Sequence, residues 1–236
     1  MARTRCGDSY LPRYCAAWLE GLATTLPDPA RVLEVGTGSG CSFATLLMGL
    51  SRHDDVHGWT VDIEERPYLD EQMAAFGIPK SRYTGVHAPS LLAAASWSIP
   101  LDMLYIDADH TEEGETNDIK SWTPHLKFGG ILAIDDYEVT AWSVTEVVDD
   151  LLFAAESDWR FIGQVGKLIA FEKGTRHKRS PWITDDMWKY DSHAKDADGT
   201  KDPWLLWAWG FMGRLEGPEP HDYGKGPKKR YTKDLP

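Results

Sequence analysis

Cysteine is scarce in this chain. There are three in 236 residues, Cys6, Cys15 and Cys41. An odd number with no C-x-x-C pair excludes an even disulfide framework and a thiolate metal site, so they read as reduced thiols of a cytoplasmic protein. Long hydrophobic runs are missing as well. No stretch approaches the roughly eighteen apolar residues of a membrane span, and the basic opening "MARTRCGDSYLPRY" has no apolar segment behind it. The expectation is a soluble, unexported product with no membrane partner. Positive charge is in short supply too: 25 lysines and arginines face 37 acids, a net charge of −12. Non-specific affinity for nucleic acid rests on basic side chains neutralising phosphates, so nucleic acid is not the expected partner and a small molecule is.

What is present is a core. Hydrophobic residues make up 42% of the chain and charged residues 26%, and eleven tryptophans are far more than a disordered chain carries. Short apolar runs alternate with amphipathic segments between residues 31 and 173, the pattern of βα units in a doubly wound α/β domain. Strands are predicted at 31–36, 56–62, 81–86, 101–107 and 129–135. "WRFIGQV" and "KLIAFEK", separated by a single glycine, are predicted to close the sheet as an antiparallel hairpin. Helices are predicted at 41–51, 67–77, 89–96, 112–122 and 143–156, with an N-terminal helix over 9–26 carrying a stripe of Leu11, Cys15, Trp18, Leu19 and Leu22. Residues 1–173 read as one domain with 13 basic and 27 acidic residues. Residues 174–236, a C-terminal extension, hold six of the fourteen prolines and a near-balanced charge. Within it "PWLLWAWGFMG" (203–213) is too short for a bilayer and too apolar to stay exposed. It is expected to dock on its own domain or on a second subunit, the latter making a homo-oligomer.

"VLEVGTGSGCS" ends the first strand and opens a helix, the context of a nucleotide-type cofactor loop. Gly36, Gly38 and Gly40, with Thr37 between, let the backbone turn sharply and approach a ligand. The spacing is G-x-G-x-G rather than the dinucleotide G-x-G-x-x-G, and Glu34 stands two residues before it. An acid there repels pyrophosphate but suits an ammonium group. Asp62, at the end of the second strand, stands where a carboxylate accepts both ribose hydroxyls. Together they ask for an adenosyl ligand without phosphate, and S-adenosyl-L-methionine fits. His87, Ala88 and Pro89, after the third strand, are placed by position alone to flank the adenine. The plainer reading, a tight turn with Asp62 as a helix cap, explains neither the strand context nor Glu34.

Two further strands end in paired aspartates, Asp107 with Asp109 and Asp135 with Asp136. In an open α/β sheet the ligand crevice lies outside the carboxyl ends of the strands, and adjacent strands are about 4.8 Å apart. Asp107, Asp135 and Asp136 therefore converge, and an all-oxygen set of carboxylates favours Mg²⁺, or Mn²⁺ or Ca²⁺, over zinc. Asp109 with Glu112 has capping-box spacing and is assigned to a helix start. His110, within one turn, is the candidate general base.

The segments "VLEVGTGSG", "VDIEE" and "YIDADHTEEGETNDIKSWTPHLKFGGILAIDDY" resemble class I S-adenosylmethionine-dependent methyltransferases, specifically the metal-dependent O-methyltransferases of the macrolide-sugar and cephalosporin-hydroxylase-related branch. The likeness covers about residues 30 to 173. It implies a Rossmann-like seven-stranded, mostly parallel sheet of order 3-2-1-4-5-7-6 whose last-but-one position is antiparallel. It also implies metal ligands at Asp107, Asp135 and Asp136, a base at His110, cofactor contacts at Glu34, Gly36 and Asp62, and a small-molecule hydroxyl acceptor. Phe128 departs from the family, which has proline before the Gly129-Gly130 turn. Two other readings compete: a nicotinamide-dependent oxidoreductase, disfavoured by the loop spacing and Glu34, and a non-catalytic methyltransferase-like interaction module.

Overall fold

A computed structural model describes residues 11–154 and 157–174. The stretch 203–213 and the rest of the extension lie outside the described residues. Seven strands form one sheet: β1 (Ala30–Val35), β2 (Val56–Asp62), β3 (Tyr83–His87), β4 (Leu101–Ile106), β5 (Leu126–Ile134), β6 (Trp159–Val165) and β7 (Leu168–Lys173). Their order is β3-β2-β1-β4-β5-β7-β6, with β7 antiparallel to both neighbours and the first five parallel. This is the order and the single antiparallel strand that the resemblance implies.

The interior strands are apolar on both faces because helices cover both. β4 is buried along its whole length, and Leu33, Leu104, Leu132 and Phe171 run across the sheet in one core layer. The helices are α1 (Arg13–Thr24), α2 (Cys41–Gly49), α3 (Leu69–Ala75), α4 (Ser90–Ala95), α5 (Glu112–Trp122) and α6 (Val144–Leu151). α1 buries Cys15, Trp18, Leu19 and Leu22, all members of the predicted stripe. α6 buries Val144, Val147 and Val148 at helical spacing.

Three expectations change in detail. β5 starts at Leu126 rather than residue 129, because Leu126 pairs with Leu101 before a register shift, leaving Phe128 exposed beside the Lys173 ammonium. α6 ends at Leu151, short of residue 156. Cys41 is disulfide-bonded while Cys15 is a free, buried thiol. This corrects the expectation of three reduced thiols and removes the cysteine argument for a reducing compartment. Among the described residues no helix is long and apolar enough to cross a membrane.

Candidate active site

Because β1, β2, β4 and β5 are parallel, their carboxyl ends open on one rim, and the loops that leave them carry the candidate residues. Gly36 stands at φ +93°, its N–H donating to the Val61 carbonyl at 2.8 Å. A Cβ there would lie 1.9 Å from the Asp107 carbonyl oxygen, so close approach of the β1 and β4 ends demands the glycine. Gly38 is different: at φ +47° it has open space where a Cβ would stand, so this part of the loop can admit a ligand. Gly40 precedes α2 in a left-handed conformation.

Glu34 is fully buried beneath the loop. Ser42 Oγ donates to its Oε1 at 2.5 Å and Thr60 Oγ1 to its Oε2 at 2.8 Å, while Thr37 Oγ1 lies 2.7 Å from Thr60 Oγ1. Burial pushes the Glu34 carboxyl up to about 8 against those two hydroxyls. In this arrangement Glu34 fastens β1, β2 and α2 together under the loop rather than facing the crevice.

Asp62 faces the loop. Its Oδ2 accepts from Thr37 N at 3.0 Å and Gly38 N at 3.3 Å, and its Oδ1 from Glu64 N at 2.8 Å. Arg66 adds Nε and NH2 contacts at 2.9 and 3.2 Å. Burial would raise this carboxyl, but the Arg66 guanidinium and the Glu64 N–H outweigh it and hold it below the usual carboxylate range. A cavity of about 260 Å³ opens here, lined among others by Thr37, Asp62, Arg66, Val86 and His87. Ala88 lies alongside, its N–H bonded to the Asp62 carbonyl at 3.0 Å.

The acids form the other half of the rim. Main-chain bonds from Asp107 N to Val35 O (2.9 Å) and Asp135 N to Ile106 O (3.0 Å) hold the two strand ends side by side. Ligand atoms of Asp107, His110 and Asp136 lie within 4.8 Å of one another. His110 Nε2 is 3.2 Å from Asp136 Oδ2, and the imidazole packs at a 47° tilt against Trp142, centroids 5.0 Å apart, with Trp142 46% exposed. Asp135 stands behind that group, nearly inaccessible. Its Oδ2 is 2.6 Å from Lys167 Nζ, yet neither of its oxygens receives an aligned hydrogen bond. Burial and mutual repulsion raise Asp107 to about 6 and Asp135 to about 8, Lys167 opposing both. Asp136 adopts φ +56°, a conformation non-glycine residues rarely hold outside functional or strained sites.

Residues 33–137, which span both halves of the rim, match the model of a family described as a methyltransferase domain. The chain carries a methyltransferase domain. Solved structures share its fold: a Corynebacterium glutamicum protein (TM-score 0.58, 16% identity, 75% of this chain and 90% of that one), a TDP-rhamnose 3′-O-methyltransferase of calicheamicin biosynthesis (0.55, 16%, 72% and 84%), and the Bacillus cereus O-methyltransferase in complex with SAH (0.56, 15%, 73% and 89%).

Within this methyltransferase domain, Asp109 does not cap α5. Its Oδ1 accepts from Thr111 N at 3.0 Å, and Thr111 is the N-cap, its Oγ1 accepting from Gly114 N at 3.1 Å. Four residues at or beside the rim have no counterpart in the sequence reasoning: Arg66, Lys167, Trp142 and Glu115. Arg66 was open to discovery as an i,i+4 partner of Asp62. Trp142, an isolated tryptophan six residues past Asp136, carried a weak signal. Lys167 carried none, since a lysine in a hairpin turn is ordinarily solvated. Glu115, on the α5 face against the sheet, is buried with Oε1 unpartnered and pushed up to about 9 by burial and by the charges of Asp118, Asp107, Asp136 and Asp109.

Proposed function

We propose that this methyltransferase moves a methyl group from S-adenosyl-L-methionine to a hydroxyl oxygen of a small acceptor, of sugar or natural-product type, with a divalent cation at the acid rim. The carrying observation is that Asp107, His110 and Asp136 present their ligand atoms within 4.8 Å of one another on the rim that also carries Asp62 and the glycine loop. Two structural neighbours are named as O-methyltransferases, one for TDP-rhamnose and one in complex with SAH.

The residues fit both groups. The open space above Gly38 and the Asp62 carboxylate suit an adenosyl ligand. A buried, unaligned Asp135 carboxylate among two further acids suits a hard divalent ion such as Mg²⁺. When bound, S-adenosylmethionine supplies the electrophilic methyl and the cation the charge that acidifies the acceptor hydroxyl. Asp62 would orient the ribose, with Arg66 the partner it would exchange. Asp107 and Asp136 would hold the cation side, with Asp135 behind them against Lys167. His110 Nε2 would take the proton of the acceptor hydroxyl, and Asp136 would stabilise the resulting imidazolium. The Trp142 face walls the acceptor side. Residues 1–173 would constitute the catalytic domain and 174–236 a C-terminal extension.

A second role for His110 is favoured by the same geometry, because its Nε2 falls within ligand range of both acids. The variant His110→Ala separates the two. A base loses at least about a hundredfold in kcat while Mn²⁺ affinity, measured by titration calorimetry, stays put. A ligand loses Mn²⁺ affinity as well. Full activity of Asp136→Ala in EDTA would remove the cation from the mechanism.

A further inference from the structure

Lys167 follows Gly166 in the turn between β6 and β7, 32 and 31 residues from Asp135 and Asp136, the aspartates it meets. It is almost wholly buried, and its Nζ stands 2.6 Å from Asp135 Oδ2 and 2.6 Å from Asp136 Oδ1. Its main-chain carbonyl accepts from Tyr137 N at 2.9 Å. One residue thus ties three consecutive positions, 135 to 137, and the middle one is the non-glycine Asp136 at φ +56°. Such a backbone persists only where its surroundings over-determine it.

Charge supports the same role. One ammonium stands against two of the three rim carboxylates, so the acids are partly balanced by the chain itself.

We propose that Lys167 is a built-in counter-ion and positioning residue of the acid rim, holding Asp135 and Asp136 in place before any metal arrives and leaving the Asp107–Asp136–His110 face to the divalent ion. The inference rests on reading the rim as a cation site. Lys167 replaces part of the charge a metal would otherwise supply, so the fold does not depend on the metal.

The test uses the full chain, as wild type, Lys167→Met and Lys167→Arg. Melting is followed in EDTA and in excess Mg²⁺, and Mn²⁺ is titrated by electron paramagnetic resonance. Wild type and Lys167→Arg are expected to melt at nearly the same temperature in both buffers. Lys167→Met should melt lower in EDTA, recover with Mg²⁺, and bind Mn²⁺ at least about tenfold tighter. A unit charge several ångströms away at an effective dielectric of about 20 repels a divalent ion by more than that. A Lys167→Met protein with no Mg²⁺ response and unchanged or weaker Mn²⁺ affinity overturns the proposal. So does a wild type that needs Mg²⁺ to fold, a result that requires no variant. Should wild type bind no Mn²⁺ while Lys167→Met does, the counter-ion role stands and the cation leaves the proposed function instead.

Discussion

Asp62 combines a near-complete set of protein donors with a position facing open space, and the two facts bear on cofactor binding differently. The donors from Thr37, Gly38 and Glu64 are main-chain groups that a ligand would leave in place. The Arg66 pair is a side chain that can move aside. Hydrogen bonds to a charged group contribute about 1.5–3 kcal/mol, so Asp62→Ala should weaken S-adenosylhomocysteine binding by roughly ten- to a hundredfold in calorimetry. Undiminished affinity would take the ribose contact away from this residue. Glu34 shows where residue-type reasoning stops. Its spacing before the loop was visible, but whether its oxygens face a ligand or the Ser42 and Thr60 hydroxyls depends on how β2 and α2 pack against β1.

At the scale of elements, the start of α5 governs the direction in which His110 leaves β4. Asp109 folds the chain through an Asx-type bond to Thr111 N, and Thr111 then caps the helix at Gly114 N. Removing that cap in Thr111→Ala should cost about 1 kcal/mol. For a chain of this size that is about 2–4 °C of melting temperature, measurable by differential scanning fluorimetry. The helix was legible from the acids in its first turn, Glu112, Glu113 and Glu115, while its cap was assigned two residues early. Asp and Thr both cap well, and only the backbone path off β4 selects between them. β5 was likewise found three residues late, since Lys127 and Phe128 look like a turn until Leu126 is seen paired with Leu101.

For the whole molecule, the concentration of buried acids sets how stability responds to pH. Glu34 and Glu115 move from 4.5 to about 8 and about 9. A carboxyl whose folded value lies above its unfolded value binds its proton more tightly when folded. Its favourable contribution is therefore full below about pH 4.5 and is lost as pH rises toward 8 to 9. Asp62 works in the opposite sense, but only at and below its ordinary range near 3.8, so it does not oppose the trend at neutral pH. The metal-free protein should melt progressively lower between pH 6 and pH 9. Glu115→Gln should flatten that slope and raise the melting temperature at pH 8 by roughly 2–4 °C for each kcal/mol recovered. A melting temperature that climbs across this interval would show that these carboxyls are ionised in the folded state.

The sequence by itself determined that an α/β sheet forms and that Gly36, Asp62, Asp107 and Asp135 share one rim. Parallel βα units send every strand's carboxyl end the same way, so strand-end position alone assigns the side. Tertiary structure alone decided which partners those groups keep: Lys167 between Asp135 and Asp136, Arg66 on Asp62, Trp142 on His110. Contacts between residues far apart in the chain follow from strand order and register, and no local spacing encodes a lysine that reaches the rim from the far end of a hairpin.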